Sequence, residues 1–214
     1  ARVVLEVQPE LVALAEESYR RRGGTTRITF LRSMPMDEPN GCLPAQNPSQ
    51  RRLERGDVIL AELSASLRGY SGQVHRPIFV GAEPTADWLR LFNVAKQAYD
   101  RIAAGMAPGS TEGDAIRNAA VIGEAGYAIY DDLIHGYGTD YGPPLVDRSC
   151  VQYWHDGAEP PAGRMIEEGM TIVVQPNPIT PDERMGLQLG ALTVVTPAGA
   201  ESLHGLPFEP LLAA

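Results

Sequence analysis

Gly56-Asp57-Val58-Ile59-Leu60-Ala61-Glu62-Leu63-Ser64-Ala65-Ser66-Leu67, the joint Arg68-Gly69, and Tyr70-Ser71-Gly72-Gln73-Val74-His75-Arg76-Pro77-Ile78-Phe79-Val80 form the stretch that decides the fold. The apolar runs over 57–67 and 70–80 predict two strands, and the short joint at 68–69 predicts a hairpin. Side chains two apart on a strand share a face, so Gln73 and His75 point the same way. Across the hairpin, Glu62 can face that side as well. Three polar groups on one apolar strand pair describe either a pocket or a sheet face turned to solvent.

Outward from the hairpin, residues 9–22 carry apolar groups at helical spacing after an N-terminal Pro, and Gly23-Gly24 ends them. Residues 25–31 alternate with β-branched side chains and predict a strand. The prolines and glycines between 33 and 50 predict a long loop. On the other side, Trp88, Leu91, Phe92, Ala95 and Tyr99 stand at helical spacing within a predicted helix over 86–105. Thr111 is a candidate N-cap for a second helix running to Glu124 and stopping near Gly126. A strand is predicted over 129–134, a Pro/Gly-rich loop over 142–163, strands over 170–175 and 185–196, and a turn over 197–200. The order helix, glycine stop, strand, loop occurs at 9–31 and again at 111–134, as a duplicated fold would show. The long helix before the second copy has no counterpart before the first. With Ala1 in place of an initiator Met, this predicts an upstream segment, comprising an N-terminal domain and a first helix.

A chain of 214 residues is long enough for one large domain with a real core. Its formal net charge of −9 disfavours nucleic acid or an anionic membrane as partner, because phosphate binding needs a concentrated basic surface. Two cysteines, Cys42 and Cys150, make neither a disulfide framework nor a zinc ribbon and predict reduced thiols in the cytoplasm. No apolar run reaches the roughly 20 residues of a membrane span.

Four segments in order resemble the creatinase/prolidase/methionine-aminopeptidase superfamily. Residues 56–65 are similar to its GD-x-x-x-x-D-L-G-A strand, and residues 69–76 to its G-Y-x-S-D-x-T-R strand. His135-Gly136-Tyr137-Gly138 matches the H-G-x-G turn, and residues 168–176 the G-M-x-x-x-x-E-P strand. Residues 186–196 fit the last strand pair. The resemblance implies an α+β pita-bread fold, a single domain over 1–214 with a curved antiparallel sheet and helices on its outer face. It also implies a homodimer.

Peptidases of that superfamily hold two divalent metals with two Asp, one His and two Glu. The matching positions here are Glu62, Gln73, His135, Gln175 and Gly190. One carboxylate cannot offset four positive charges, Gln is a weak neutral ligand and Gly has no side chain. No metal and no other cofactor is therefore expected. A single ion on Glu62, His75 and His135 is the remaining metal option.

The superfamily's metal-free hydrolases set the leading expectation, a metal-independent hydrolase of a C–N bond in a small amino-acid-like molecule; the partner expected is a small-molecule or dipeptide-like substrate. The tail 199–210 is similar to the creatinase terminus, although Ala45-Gln46-Asn47-Pro48 has Gln where creatinase has its catalytic His. In this reading His135 or His75 activates water and protonates the leaving nitrogen, since an imidazole titrates near neutrality. Glu62 orients the imidazole or holds a cationic group. Gln73, Gln175, Arg76, Asp140 and Tyr141 are candidate substrate-binding residues. His155 and His204, in Pro/Gly-rich segments, are expected to be exposed. The alternatives are a Xaa-Pro-type metallopeptidase with a reduced metal site and a catalytically inactive peptidase-like binding domain.

Overall fold

The computed structural model describes residues 8–47 and 49–213. Pro48, which ends the creatinase-loop counterpart, and the Ala1 terminus lie outside them. The chain runs α1 (Gln8–Arg21), β1 (Thr25–Pro35), β2 (Asp57–Leu67), β3 (Tyr70–Val80), α2 (Ala86–Gly105), α3 (Glu112–Asn118) and α4 (Val121–Glu124). It continues through β4 (Ala128–Ile129), β5 (Ile134–Gly136), β6 (Gly142–Val146), α5 (Val151–Asp156), β7 (Thr171–Val174) and β8 (Pro178–Ile179). β9 (Gly190–Thr196), β10 (Gly199–Ser202) and β11 (Leu211–Ala213) complete it.

The hairpin predicted from 57–80 is present and sets the sheet. Its joint turns through Arg68 and Gly69 at φ 53° and 87°, the left-handed pair that a two-residue hairpin loop needs. β2 and β3 then pair antiparallel over their whole length, with Glu62 opposite His75 and Ser64 opposite Gln73. The main sheet follows the order β1-β2-β3-β9-β7-β5-β6 and curls as an α+β half-barrel. β10 adds to β9, and β11 lies parallel to β3, a departure from a wholly antiparallel sheet.

α2 covers the sheet with one continuous apolar stripe. Trp88, Leu91, Phe92, Ala95, Ala98, Tyr99 and Ile102 are all buried on it. Each large side chain of this kind contributes about 1.5–3 kcal/mol by leaving water. The Trp88 indole is also anchored, donating to the Met36 carbonyl at 2.9 Å.

Four elements differ from expectation. The helix predicted from Thr111 to Glu124 divides at Ala119-Ala120, where backbone N–H groups tighten to carbonyls three residues back (Ala120 to Arg117, Ile122 to Ala119). Its start is as predicted: Thr111 and Asp114 cap each other reciprocally. The Pro/Gly-rich segment 142–163 contains β6 and α5, and α5 is docked by the Trp154 indole on the Ile116 carbonyl at 3.0 Å. The strand expected over 185–196 begins only at Gly190. Finally, the strand expected over 129–134 is interrupted. The Asn177 side-chain carbonyl accepts from the backbone N–H of Tyr130 (3.0 Å) and Asp131 (2.9 Å), so a side chain replaces a strand partner. The resulting bend carries Asp131 and Asp132.

Candidate active site

Strand parity places Glu62, Gln73 and His75 on one face of the hairpin, as the sequence predicted. Gln73 and His75 are buried, while the Glu62 side chain keeps 12% of its surface exposed. β5 brings His135 to the same place through its pairing with β7, where His135 lies opposite Val173. The Gln73 amide joins the three. Its Nε2 donates to Glu62 Oε1 at 2.7 Å and lies 3.3 Å from His75 Nε2, and its Oε1 faces His135 Nε2 at 3.1 Å.

The other His135 nitrogen, Nδ1, meets Asp132 Oδ1 at 3.0 Å. Asp132 is itself held from two sides. Gln175 Nε2 donates to Oδ1 at 2.6 Å and the Tyr141 hydroxyl to Oδ2 at 2.8 Å. The Tyr141 ring lies 4.6 Å from the His135 ring, and burial together with Asp132 raises the Tyr141 phenol well above its ordinary value. The result is a continuous chain: Asp132, His135, Gln73, Glu62. A ring with hydrogens on both nitrogens satisfies both of the His135 contacts at once. At the far end, burial works to raise the Glu62 carboxyl, but His75, His135 and Gln73 outweigh it and hold it below its ordinary value.

A model of the peptidase family described as metallopeptidase family M24 matches residues 7–197. The chain belongs to metallopeptidase family M24. It is 27% identical over 164 residues to the Xaa-Pro dipeptidase of Pyrococcus furiosus, covering 76% of this chain and 44% of that protein. To methionine aminopeptidase 1D, mitochondrial, of Danio rerio it is 26% identical over 183 residues, covering 76% of this chain and 51% of the relative. The prolidase structure from Pyrococcus furiosus superposes with a TM-score of 0.79 at 23% identity, covering 96% of this chain and 57% of that one. Dipeptidase PepE from Mycobacterium ulcerans superposes with a TM-score of 0.81 at 21% identity, over 98% and 53% of the two chains. The chain spans about half the length of the curated relatives it matches.

The M24 metal positions in this chain do not fit a dinuclear centre. The Gln73 and Gln175 amides are turned so that their N–H groups serve Glu62 and Asp132. Both His135 nitrogens are engaged. At Gly190, a Cβ would lie 2.4 Å from the Val174 carbonyl oxygen and 2.8 Å from Gln175 Cα, so β7 and β9 have closed over the place of a ligand side chain. Among the described residues, no three His, Cys, Asp or Glu side chains are arranged to hold an ion.

Two of the predicted substrate-binding residues are placed elsewhere. Arg76 alternates with His75 and so points to the opposite face. Its guanidinium stacks 4.1 Å from the centre of the Phe208 ring and donates to the carbonyls of Gly190 and His75, each at 2.7 Å. Burial there lowers its pKa to about 10. Asp140 is exposed and accepts from the Tyr141 backbone N–H at 2.9 Å, away from the histidines. It borders a surface cavity of about 370 Å³ with Tyr70, Tyr137 and Tyr141. Tyr141 does reach the cluster, through its hydroxyl on Asp132 and its ring beside His135. His155 is exposed as expected. His204 is not: it is half-buried, and burial lowers its pKa.

Asp131, Asp132, Asn177 and Gln188 escaped the sequence reading. Gln188 Nε2 donates to Asp131 Oδ2 at 3.0 Å, and Asn177 Nδ2 donates to the Asp132 carbonyl at 2.6 Å. The signal available was a pair of carboxylates directly before Leu133-Ile134-His135, and an Asn two residues beyond Gln175, on the same strand parity. Among the described residues, no helix is long and apolar enough to cross a membrane.

Proposed function

We propose that this M24 chain forms the catalytic unit of a hydrolase that cleaves a C–N bond of a dipeptide-like or small amino-acid-like substrate, using its own side chains as acid and base. The observation that carries this reading is the hydrogen-bonded chain Asp132–His135–Gln73–Glu62, of which Glu62, Gln73 and His135 are positions that the resemblance matches to the superfamily's metal ligands. Glu62, kept ionised and reachable by water, takes a proton from the attacking water as the C–O bond forms. His135 delivers its Nε2 proton to the departing nitrogen as the C–N bond breaks, the leaving group taking the place of Gln73 Oε1. The proton on Glu62 then returns to the imidazole through solvent. Asp132 fixes the ring and stabilises its charge, with Gln175 and Tyr141 holding the carboxylate in turn. His75, fully buried, supports Glu62 from the side. Positioned acid–base groups of this kind are worth about 10²–10⁴-fold each.

The relatives named above are Xaa-Pro dipeptidases and methionine aminopeptidases, which favours a dipeptide-like substrate. It also favours a second reading, an Xaa-Pro-type metallopeptidase with one ion on Glu62, His75 and His135. That ion would have to displace Gln73 or Asp132 from His135. One experiment separates the readings: elemental analysis of dialysed protein, followed by a panel of dipeptides and small amides with and without chelator. Turnover that survives chelation supports the proposal. Turnover that is lost on chelation and restored by one equivalent of metal supports the metallopeptidase. No turnover on any member would leave a binding domain.

A further inference from the structure

The surface cavity of about 370 Å³ lies outside the acid–base chain, since none of Asp132, His135, Gln73 and Glu62 lines it. Tyr70 opens β3, Tyr137 follows β5 and Met170 precedes β7, so the cavity sits beyond the ends of these strands. Its walls are held by the backbone. The Ser71 N–H donates to the Gly138 carbonyl at 2.8 Å and the Tyr137 N–H to the Thr171 carbonyl at 3.1 Å, which ties the 137–138 turn to β3 and β7. Two of the tyrosines have their hydroxyls committed elsewhere. Tyr137 shares a hydrogen bond with Ser64 Oγ at 2.7 Å, and Tyr141 donates to Asp132 Oδ2 at 2.8 Å. What these two residues offer the cavity is therefore ring surface. Tyr70 and Tyr141 keep 71% and 52% of their surface exposed, so a solute reaches both rings from solvent.

Charge decides what such walls hold. Among the described residues that line the cavity, none is Lys, Arg or His, and the one carboxylate is Asp140 at its exposed rim. Asp140 Oδ1 accepts from the Tyr141 N–H at 2.9 Å, and the second oxygen remains for a solute. An anion would meet that carboxylate and the negative faces of aromatic rings, whereas a cation is attracted by both. With the Tyr137 and Tyr141 hydroxyls committed to Ser64 and Asp132, a head group rich in N–H would leave donors unmatched, while a methylated one presents only C–H to the rings. We propose that Tyr70, Tyr137, Tyr141, Met170 and Asp140 form a binding site for a methylated ammonium head group. The cavity falls within the roughly 300–1,000 Å³ usual for small-molecule sites, at the lower end. The site stands whether or not the chain is a hydrolase. Tyr141 connects the two, through its hydroxyl on Asp132.

The test is calorimetric titration of the protein, at constant ionic strength, with choline, its uncharged carbon analogue 3,3-dimethylbutan-1-ol, its unmethylated analogue ethanolamine, and N-acetylprolinamide. Choline should bind. The uncharged analogue should bind at least about tenfold more weakly, since each ring adds about 2–30-fold for a cation alone. Ethanolamine should also bind at least about tenfold more weakly, because a bare ammonium is the more strongly hydrated. Trimethyllysine amide is the peptide-borne form of the same head group: tighter binding than choline assigns the site to a modified side chain, weaker binding to a free small molecule, and either supports it. Tyr70→Leu and Asp140→Asn, both at exposed positions, should each weaken choline binding about 2–5-fold with the unfolding transition retained. Equal binding of either choline analogue overturns the proposal, as does tighter binding of N-acetylprolinamide, which would make the cavity a pocket for neutral rings. So does choline binding unchanged in both variants, or no choline binding up to about 50 mM. The comparison of probes needs no variant, and binding is read without turnover, so a failed hydrolase reading leaves the result intact.

Discussion

Gly190→Ala tests the physical claim on which the departure from a two-metal site stands. The added Cβ would sit 2.4 Å from the Val174 carbonyl oxygen, 2.8 Å from Gln175 Cα and 2.9 Å from Gln175 Cβ. Two of these neighbours are backbone atoms of β7 and its extension, held by pairing to β9 and β5, so they cannot swing aside as the tip of a flexible side chain would. The strands must separate locally, loosening the pairing that places Gln175. Overpacking of this kind costs about 1–3 kcal/mol, and backbone contacts put Gly190→Ala at the upper end, about 3 kcal/mol. For a chain of this size each kcal/mol lowers the midpoint by about 2–4 °C, so thermal unfolding should fall by about 6–12 °C. Gly205→Ala is the control, since no atom lies within 4 Å of the position of its Cβ; it should stay within about 0.5 kcal/mol of the parent. The assay is circular dichroism melting of the three proteins in one buffer. A Gly190→Ala midpoint within about 2 °C of the parent would refute the reasoning, since a side chain would then fit where a family ligand stands.

Three further outcomes follow from the same geometry. His135→Ala should lower hydrolysis by about 10²–10⁴-fold in steady-state assays, while His155→Ala, exposed on α5, should change it little. Because the Glu62 carboxyl is held below its ordinary value, its stabilising contribution is present above the unfolded-state pKa of about 4.3 and is lost as pH falls through the folded value. Denaturant titrations from neutral to acidic pH should therefore show Glu62→Gln losing less stability than the parent across that window, and parallel curves would contradict it. Asn177→Ala removes the acceptor that turns the 130–132 backbone and two donations to carbonyls, so it should cost about 2–4 kcal/mol by chemical denaturation. It should also lower activity through displaced Asp132, an effect that Asn177→Asp, which keeps the acceptor oxygen, should partly restore.

The hairpin was legible because its causes are local. A two-residue turn whose second residue is Gly sets the register, and period-two alternation then decides which side chains share a face. Glu62, Gln73 and His75 could be grouped on one face from sequence alone for that reason. The long helix α2 was equally plain, its apolar stripe marking the side turned to the sheet. His135 was placed only by resemblance to a family turn, because nothing in its neighbours says which strands β5 will lie between. Arg76 lies on the face opposite His75, where parity alone already sends it. What it does there depends on Phe208 and on carbonyls from residues 206 and 207, some 130 positions away.

The sequence by itself determined the family and the hairpin, and it set Gln73, Gln175 and Gly190 where the resemblance puts carboxylate ligands, since each is a matter of residue type at short, fixed spacing. The tertiary structure alone decided what surrounds them. Asp131 and Asp132 read as half of an ordinary strand until the Asn177 side chain, 46 residues later, takes up the Asp131 backbone N–H and bends the chain into the site. That bend sets Asp132 against His135 and Asp131 against Gln188. Hydrogen bonds between segments distant in sequence leave no periodic trace along the chain, so this part of the chemistry emerges only when the sheet closes.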